Sequence, residues 1–309
     1  MKPIFLIYFT VALLGLVKSC ETTEKIDDFP LRHSRLVLNS YFTPDSAWEF
    51  QVSKSLSVLD NDKLRFVDNA MITLYRDSEL IDSIKGPDDD GWYRSDSILP
   101  VSGEKYSIEV RTPDFKNTLY AEDMVPLNVP VAEASVSILD SFFRYDNPRY
   151  TIDKTILFGR AEGFIEILIS DPVEYANFYR LTIFTYFPNF NYYDSIFNYY
   201  KRNVFIDTDD ASITFSDGRM LFEDKLFNGK NHRIKLNFNE WEITKDQIFF
   251  IELNSLSESA YLYETSVSEY KNASGDPFSE PVLIYDNIVN GYGIFAGYAT
   301  TNYGVPVFE

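Results

Sequence analysis

Cysteine is almost absent from this 309-residue chain: Cys20 stands alone, beside two histidines and four methionines. One cysteine excludes a disulfide framework, and two separated histidines leave no recognisable zinc site. Positive charge is also scarce. Lys and Arg number 28 against 47 Asp and Glu, a net charge of −19, and no basic stripe offsets it. Such a surface repels phosphate backbones, which argues against nucleic-acid binding. Long apolar runs are missing as well. The run from Ile4 to Val17 is shorter than the ~20 residues a membrane-spanning helix needs. No fixed-period repeat points to a propeller or a solenoid.

What is present in quantity is aromatic. The chain holds 26 Phe, 22 Tyr and 3 Trp, a bias that suits pleated, half-buried surfaces and so points to β structure. Hydrophobic and charged fractions of 45% and 24% are those of a globular protein, so wholesale disorder is excluded.

Residues 1–19 read as an export signal: a basic start at Lys2, the apolar run, then Lys18-Ser19-Cys20. The stretch Leu16-Val17-Lys18-Ser19-Cys20 resembles a bacterial lipobox, with Lys18 as its departure from the pattern, and makes Cys20 the expected lipidation site. Residues 20–32, polar and acidic at first, read as a flexible tether. The protein is therefore expected to be anchored to a membrane by lipid. Removing the signal also removes Lys2 and Lys18, leaving the remainder more acidic still.

From Arg35 onward polar and apolar residues alternate with period two, the strand signature. Lys105–Val110 is the clearest case, with Tyr106, Ile108 and Val110 on one face. Similar segments at 35–42, 49–56, 70–76, 79–85, 91–95 and 118–124 predict an immunoglobulin- or fibronectin-like sandwich over residues 33–130. Two prolines, Pro126 and Pro130, close it. Residues 131–309 predict a second, larger β-sandwich, with strands near 164–170, 177–187, 199–206, 233–238 and 247–253. One covering helix is expected near 256–271, where Ser255-Leu256-Ser257-Glu258 matches a capping box and Leu256, Ala260, Tyr263, Val267 and Tyr270 form a stripe. The predicted fold class is thus mainly β, two sandwiches.

Catalytic patterns are hard to find. No Gly-x-Ser-x-Gly occurs. His33 and His232, the two available bases, both read as exposed loop residues. Gly291-Tyr292-Gly293-Ile294-Phe295-Ala296 formally fits a dinucleotide fingerprint, but no strand–turn–helix unit can follow it, so it reads as a glycine-bearing strand. The clusters Asp88-Asp89-Asp90 and Asp207-Thr208-Asp209-Asp210 lack the spacing of a calcium loop. No cofactor and no metal is expected. A carboxylate pair for glycoside hydrolysis stays open as an alternative, because any two acids from the chain can form one.

The densest unusual feature is Phe184–Tyr200, where nine of the 17 residues are aromatic. These side chains fill the core of a hairpin, or they form a surface. Neighbouring pairs such as Tyr192-Tyr193 and Tyr199-Tyr200 must point to opposite faces, so part of the set is expected outside. Exposed Tyr with Asn and Asp is the chemistry of a protein interface or of a sugar-stacking platform. Tyr186, Phe190, Tyr192, Tyr193, Tyr199 and Tyr200 are the candidate binding residues.

Several segments together resemble one family. They are Ser19-Cys20-Glu21, Arg35–Phe42, Asn69–Tyr75, Gly103–Val110 and the tail Pro281–Tyr298. In this order they are similar to the Bacteroidota lipoproteins of domain-of-unknown-function family 4249. The resemblance implies an outer-membrane lipoprotein, facing outside, that works with a TonB-dependent β-barrel receptor and has no established catalytic residues. A non-enzymatic accessory subunit is the resulting expectation. A glycan-binding module on the same aromatic segment and a carboxylate-dependent hydrolase are the alternatives.

Overall fold

In the computed structural model the described residues are 34–56, 65–144, 158–173, 175–191, 196–274 and 278–308. The first part of the chain forms β1 (Leu36–Phe42), β2 (Trp48–Lys54), β3 (Arg65–Phe66), β4 (Met71–Arg76), β5 (Glu79–Lys85), β6 (Tyr93–Ser95), β7 (Lys105–Arg111) and β8 (Leu119–Met124). There follow β9 (Val131–Arg144), β10 (Phe158–Ser170), β11 (Phe178–Asn191), β12 (Ile196–Asn203), β13 (Ile206–Asp207), β14 (Thr214–Ser216) and β15 (Arg219–Glu223). The last elements are β16 (Asn231–Thr244), β17 (Ile248–Leu256), a helix α1 (Glu258–Ala273) and β18 (Gly291–Pro306). The fold is mainly β, as the alternation predicts.

One sheet of ten strands organises the rest. Its path runs β14-β15-β11-β17-β18-β1-β2-β3, with β12 beside β11 and β6 beside β2. A four-stranded sheet, β5-β4-β7-β8, and a second one, β13-β16-β10-β9, complete the structure. Period-two patterning decides what each covers. Leu36, Leu38 and Phe42 of β1 join Trp48, Phe50 and Val52 of β2 and Ile72, Leu74, Ile108 and Val110 of the first small sheet in one buried cluster. Leu181, Ile183, Ile251 and Leu253 pack against Ile165, Ile167, Ile234 and Leu236 in another. Val125 belongs to the first cluster and Val129 to the second.

Strand β18 joins the two. Its first residues pair in parallel with β1, from Leu36 opposite Gly291 to Phe42 opposite Gly297. Its later residues pair antiparallel with β17, from Leu256 opposite Tyr298 to Ile248 opposite Pro306. The inward-facing residues Phe295 and Ala299 lie in the first core, and Val305 lies in the second. Ile294 and Ala296, in the opposite phase, face α1 with Leu256 and Ala260. The glycines read as a possible fingerprint are packing residues. Gly293 holds φ +113°, and a Cβ there would lie 2.0 Å from the Leu38 carbonyl oxygen. At Gly291 it would lie 2.8 Å from the Leu36 carbonyl oxygen, and at Gly297, just past that motif, 2.1 Å from the Met124 carbonyl oxygen.

Two sequence expectations need correcting. The helix is capped by Ser257, whose Oγ accepts from the Ala260 amide at 3.1 Å, and not by Ser255. Ser255 is still in β17, paired with Tyr179 and Ala299, so tertiary pairing carries the strand past the local cap signal. His232 is not a loop residue. It is the second residue of β16, half-buried, with its ring stacked on Phe227 at 3.9 Å, and burial holds its pKa below the usual histidine range. The acidic clusters have local partners. Arg94 binds Asp90, Asp88 and Glu49, and its guanidinium lowers the pKa of Asp90. Asp210 accepts from both the amide and the hydroxyl of Ser212.

Candidate interaction site on the aromatic hairpin

Strand β11 pairs with β17 only as far as Phe184 opposite Phe250, while its pairing with β12 continues to Asn191 opposite Ile196. Past that limit β11 and β12 leave the ten-stranded sheet as a two-stranded ribbon. A two-stranded ribbon is marginal in water unless something packs against it. The described residues of the aromatic segment, 184–191 and 196–200, form this ribbon and its root.

Alternation splits the segment between two faces. On the sandwich side, Phe187 is fully buried and meets Tyr200 edge-on at 5.9 Å, with the Arg202 guanidinium 4.7 Å from the Phe187 ring centre. On the opposite side lie Phe184, Tyr186, Tyr199 and Lys201, continued by Phe250 of β17. Tyr186 stands edge-on to Phe184 at 5.7 Å and to Phe250 at 5.4 Å. Phe184 and Phe250 stack at 5.3 Å, and the Lys201 ammonium sits 3.8 Å from the Phe184 ring centre. Tyr186, Tyr199 and Tyr200 are 46%, 64% and 41% exposed. Tyr199 and Tyr200 present themselves on opposite faces, as consecutive strand residues must.

The structure therefore brings Tyr186 and Tyr199 together on one face and places Tyr200 on the other. Phe190 lies in β11 opposite Phe197 of β12; its side chain, like Tyr192 and Tyr193, falls outside the described residues. Cys20 and the segments 1–19 and 20–32 also fall outside them.

At the root of the ribbon is a groove of about 510 Å³ that the sequence reading missed, lined by Arg202, Asn203, Phe205, Asn239, Glu240 and Trp241. Phe205 and Trp241 are 72% and 70% exposed. The Arg160 guanidinium lies 4.4 Å from the Trp241 ring centre, with Nε donating to Asn239 and Nη2 to Glu162. Glu240 is buried, and burial raises its pKa; it accepts from Arg202 Nη2 at 2.7 Å and from the Phe205 amide at 2.8 Å. Arg202 also donates to the Glu242 carbonyl, while its buried Nε has no protein partner. The acids here are each held by a cation. The groove offers flat apolar surface with amide and guanidinium donors, which suits stacking and hydrogen bonding.

A signal for the groove was present. In β16 the buried phase runs Ile234, Leu236, Phe238, Glu240, so Trp241 falls on the outward phase, an unusual place for the largest side chain.

No curated protein matches the chain in sequence. Among solved structures, the three N-terminal domains of the highly immunogenic outer capsid protein (Hoc) of bacteriophage RB49 align with 88% of this chain and 69% of that one, at 8% identity and a TM-score of 0.22. A family profile described as "Domain of unknown function (DUF4249)" matches residues 21–303. The chain belongs to the DUF4249 family.

Proposed function

We propose that the protein is a non-enzymatic lipoprotein of the bacterial outer membrane, anchored through Cys20 and facing outside, that docks on a TonB-dependent β-barrel receptor through the aromatic ribbon. The observation that carries this reading is the ribbon itself. Two strands leave the sheet with Tyr186, Tyr199 and Tyr200 exposed along them, and tyrosine is a residue type enriched in protein interfaces. The start of the chain supplies the anchor: multiple acyl chains on Cys20 hold a protein stably at a membrane. The strong negative charge, −19, supports a role away from nucleic acids and anionic headgroups.

Purification of the tagged protein from mild detergent extracts tests the proposal. A β-barrel receptor is expected to accompany it, and a Tyr186→Ala/Tyr199→Ala variant is expected to lose that receptor while staying folded. Recovery of the intact protein alone in several detergents would overturn the docking role. Mass spectrometry of the mature N-terminus tests the anchor separately, since an unmodified first residue removes it.

A second reading has its own observation. The exposed pair Phe205 and Trp241, beside Asn203 and Asn239, has the make-up of a sugar-stacking platform. In that reading an oligosaccharide quenches Trp241 fluorescence, and Trp241→Ala abolishes glycan-array binding without loss of fold.

A further inference from the structure

On the helix side of the ten-stranded sheet a separate cavity of about 410 Å³ lies between α1 and the β14–β15 hairpin. Its floor is Tyr41 of β1, Tyr298 of β18 and Arg180 of β11; α1 contributes Tyr263, Glu264 and Lys271. The hairpin contributes Arg219, held by the tight turn Asp217-Gly218, where both residues have positive φ.

Donors and acceptors are unequal there. Glu264 is taken by Arg180 at 2.6 Å, the two side chains being only 13% and 12% exposed. Asp217 is taken by Lys271 at the rim. Arg219 has no ion pair and no hydrogen bond from its side chain among the described residues. Nε and Nη2 of Arg180 and the hydroxyls of Tyr41, Tyr263 and Tyr298 likewise make no hydrogen bond among the described residues, while the Arg180 guanidinium lies 5.3 Å from the Tyr298 ring centre. The three rings adjoin, Tyr41 standing 6.4 Å edge-on to each of the others. Burial raises all three phenol pKa values, and the Glu264 charge adds to this at each, so each stays an O–H donor at physiological pH.

Three cations against two acids leave the cavity with one net positive charge inside a chain of net −19. A ligand that satisfies these groups is rich in acceptors. It carries a single negative charge, because a second would face Glu264 and Asp217. A planar carboxylate fits the free fork of an arginine, and aromatic walls fit the face of a ring. The volume is that of one ring, not of a chain of them.

We propose that this cavity binds an acidic monosaccharide, its carboxylate on Arg219 and Arg180 and its ring against Tyr41, Tyr263 and Tyr298. The proposal stands apart from the ribbon and its groove.

Saturation-transfer NMR on the full-length protein tests this, with glucuronate and galacturonate as probes and glucose and inorganic phosphate as controls. Signals from the two uronates at ~10 mM probe are expected, with glucose silent and phosphate unable to displace them. Arg219→Gln should weaken uronate binding about tenfold or more while leaving Tm in place, because its side chain has no structural bond to lose. Tyr263→Phe should weaken it less, with the fold again intact. Silence from both uronates, equal binding of glucose, displacement by phosphate, or undiminished binding by Arg219→Gln would each overturn the proposal.

Discussion

The hydroxyl of Ser257 accepts from the Ala260 amide and donates to the carboxylate of Asp123, so the cap of α1 is tied to the edge strand β8 of the first small sheet. The same carboxylate oxygen accepts from the Gly297 amide at 3.1 Å, which fastens β18 to the same point. Burial raises the pKa of Asp123 from 3.8 to about 6, against the lowering effect of these hydrogen bonds.

A pH dependence follows with a definite sign. A carboxyl raised in the folded state contributes stability that is complete below about 3.8 and is lost as pH rises through about 6. The size is about 3 kcal/mol. Asp123→Asn cannot ionise. The difference in unfolding free energy between variant and wild type should therefore shift by about 3 kcal/mol in the variant's favour from pH 3.5 to pH 7.5. Urea unfolding at several pH values checks this; a flat difference, or one of opposite sign, contradicts it.

The cap itself has a smaller effect. Ser257→Ala should cost about 1–2 kcal/mol, since it removes both the cap and a donor to a half-buried carboxylate. Thermal unfolding at pH 7 measures it. Ser255→Ala should cost less, because the Ser255 hydroxyl is buried and has no hydrogen-bond partner to lose.

The glycines of β18 separate packing from composition. Gly297→Ala would push a methyl onto the Met124 carbonyl, and Gly293→Ala would do the same at Leu38 with an unfavourable φ as well. Each should cost roughly 3 kcal/mol or more. Gly304→Ala is the control, because the nearest atom to its Cβ would be an Ile248 methyl at 3.5 Å, an ordinary contact. Its effect should stay within ~1 kcal/mol. Comparable losses at all three positions would refute the close-approach explanation.

The aromatic ribbon should divide by face. Phe187→Ala removes a fully buried ring and should cost about 3–5 kcal/mol. Tyr199→Ala, at a residue 64% exposed, should cost under ~1 kcal/mol. Chemical denaturation of both variants decides whether the ribbon's outer tyrosines are structural.

Strands with clean alternation were legible without coordinates: Ile234, Leu236 and Phe238 announce β16, and Tyr106, Ile108 and Val110 announce β7. Strand β9 was not, because it is an edge strand that leaves Leu139 and Phe142 exposed and so blurs its own pattern. The parallel pairing of β18 with β1 joins residues more than 250 positions apart, and no local signal carries a contact of that span. The exposed tyrosines followed from the pleat alone. The groove did not, since Phe205 lies in the link between β12 and β13, Trp241 lies in β16, and only the pairing of β13 with β16 brings them together.

The way β18 completes two cores has a consequence for how the molecule is made. Until residues 291–306 have emerged, β1 lacks its partner on one side, and Phe42 and Trp48 lack the ring of Phe295 against which they stack. The sandwich around β1 must therefore wait, open along a hydrophobic seam, for a strand 255 positions downstream. Removal of β18 would leave both cores short of one wall rather than merely shorten the chain.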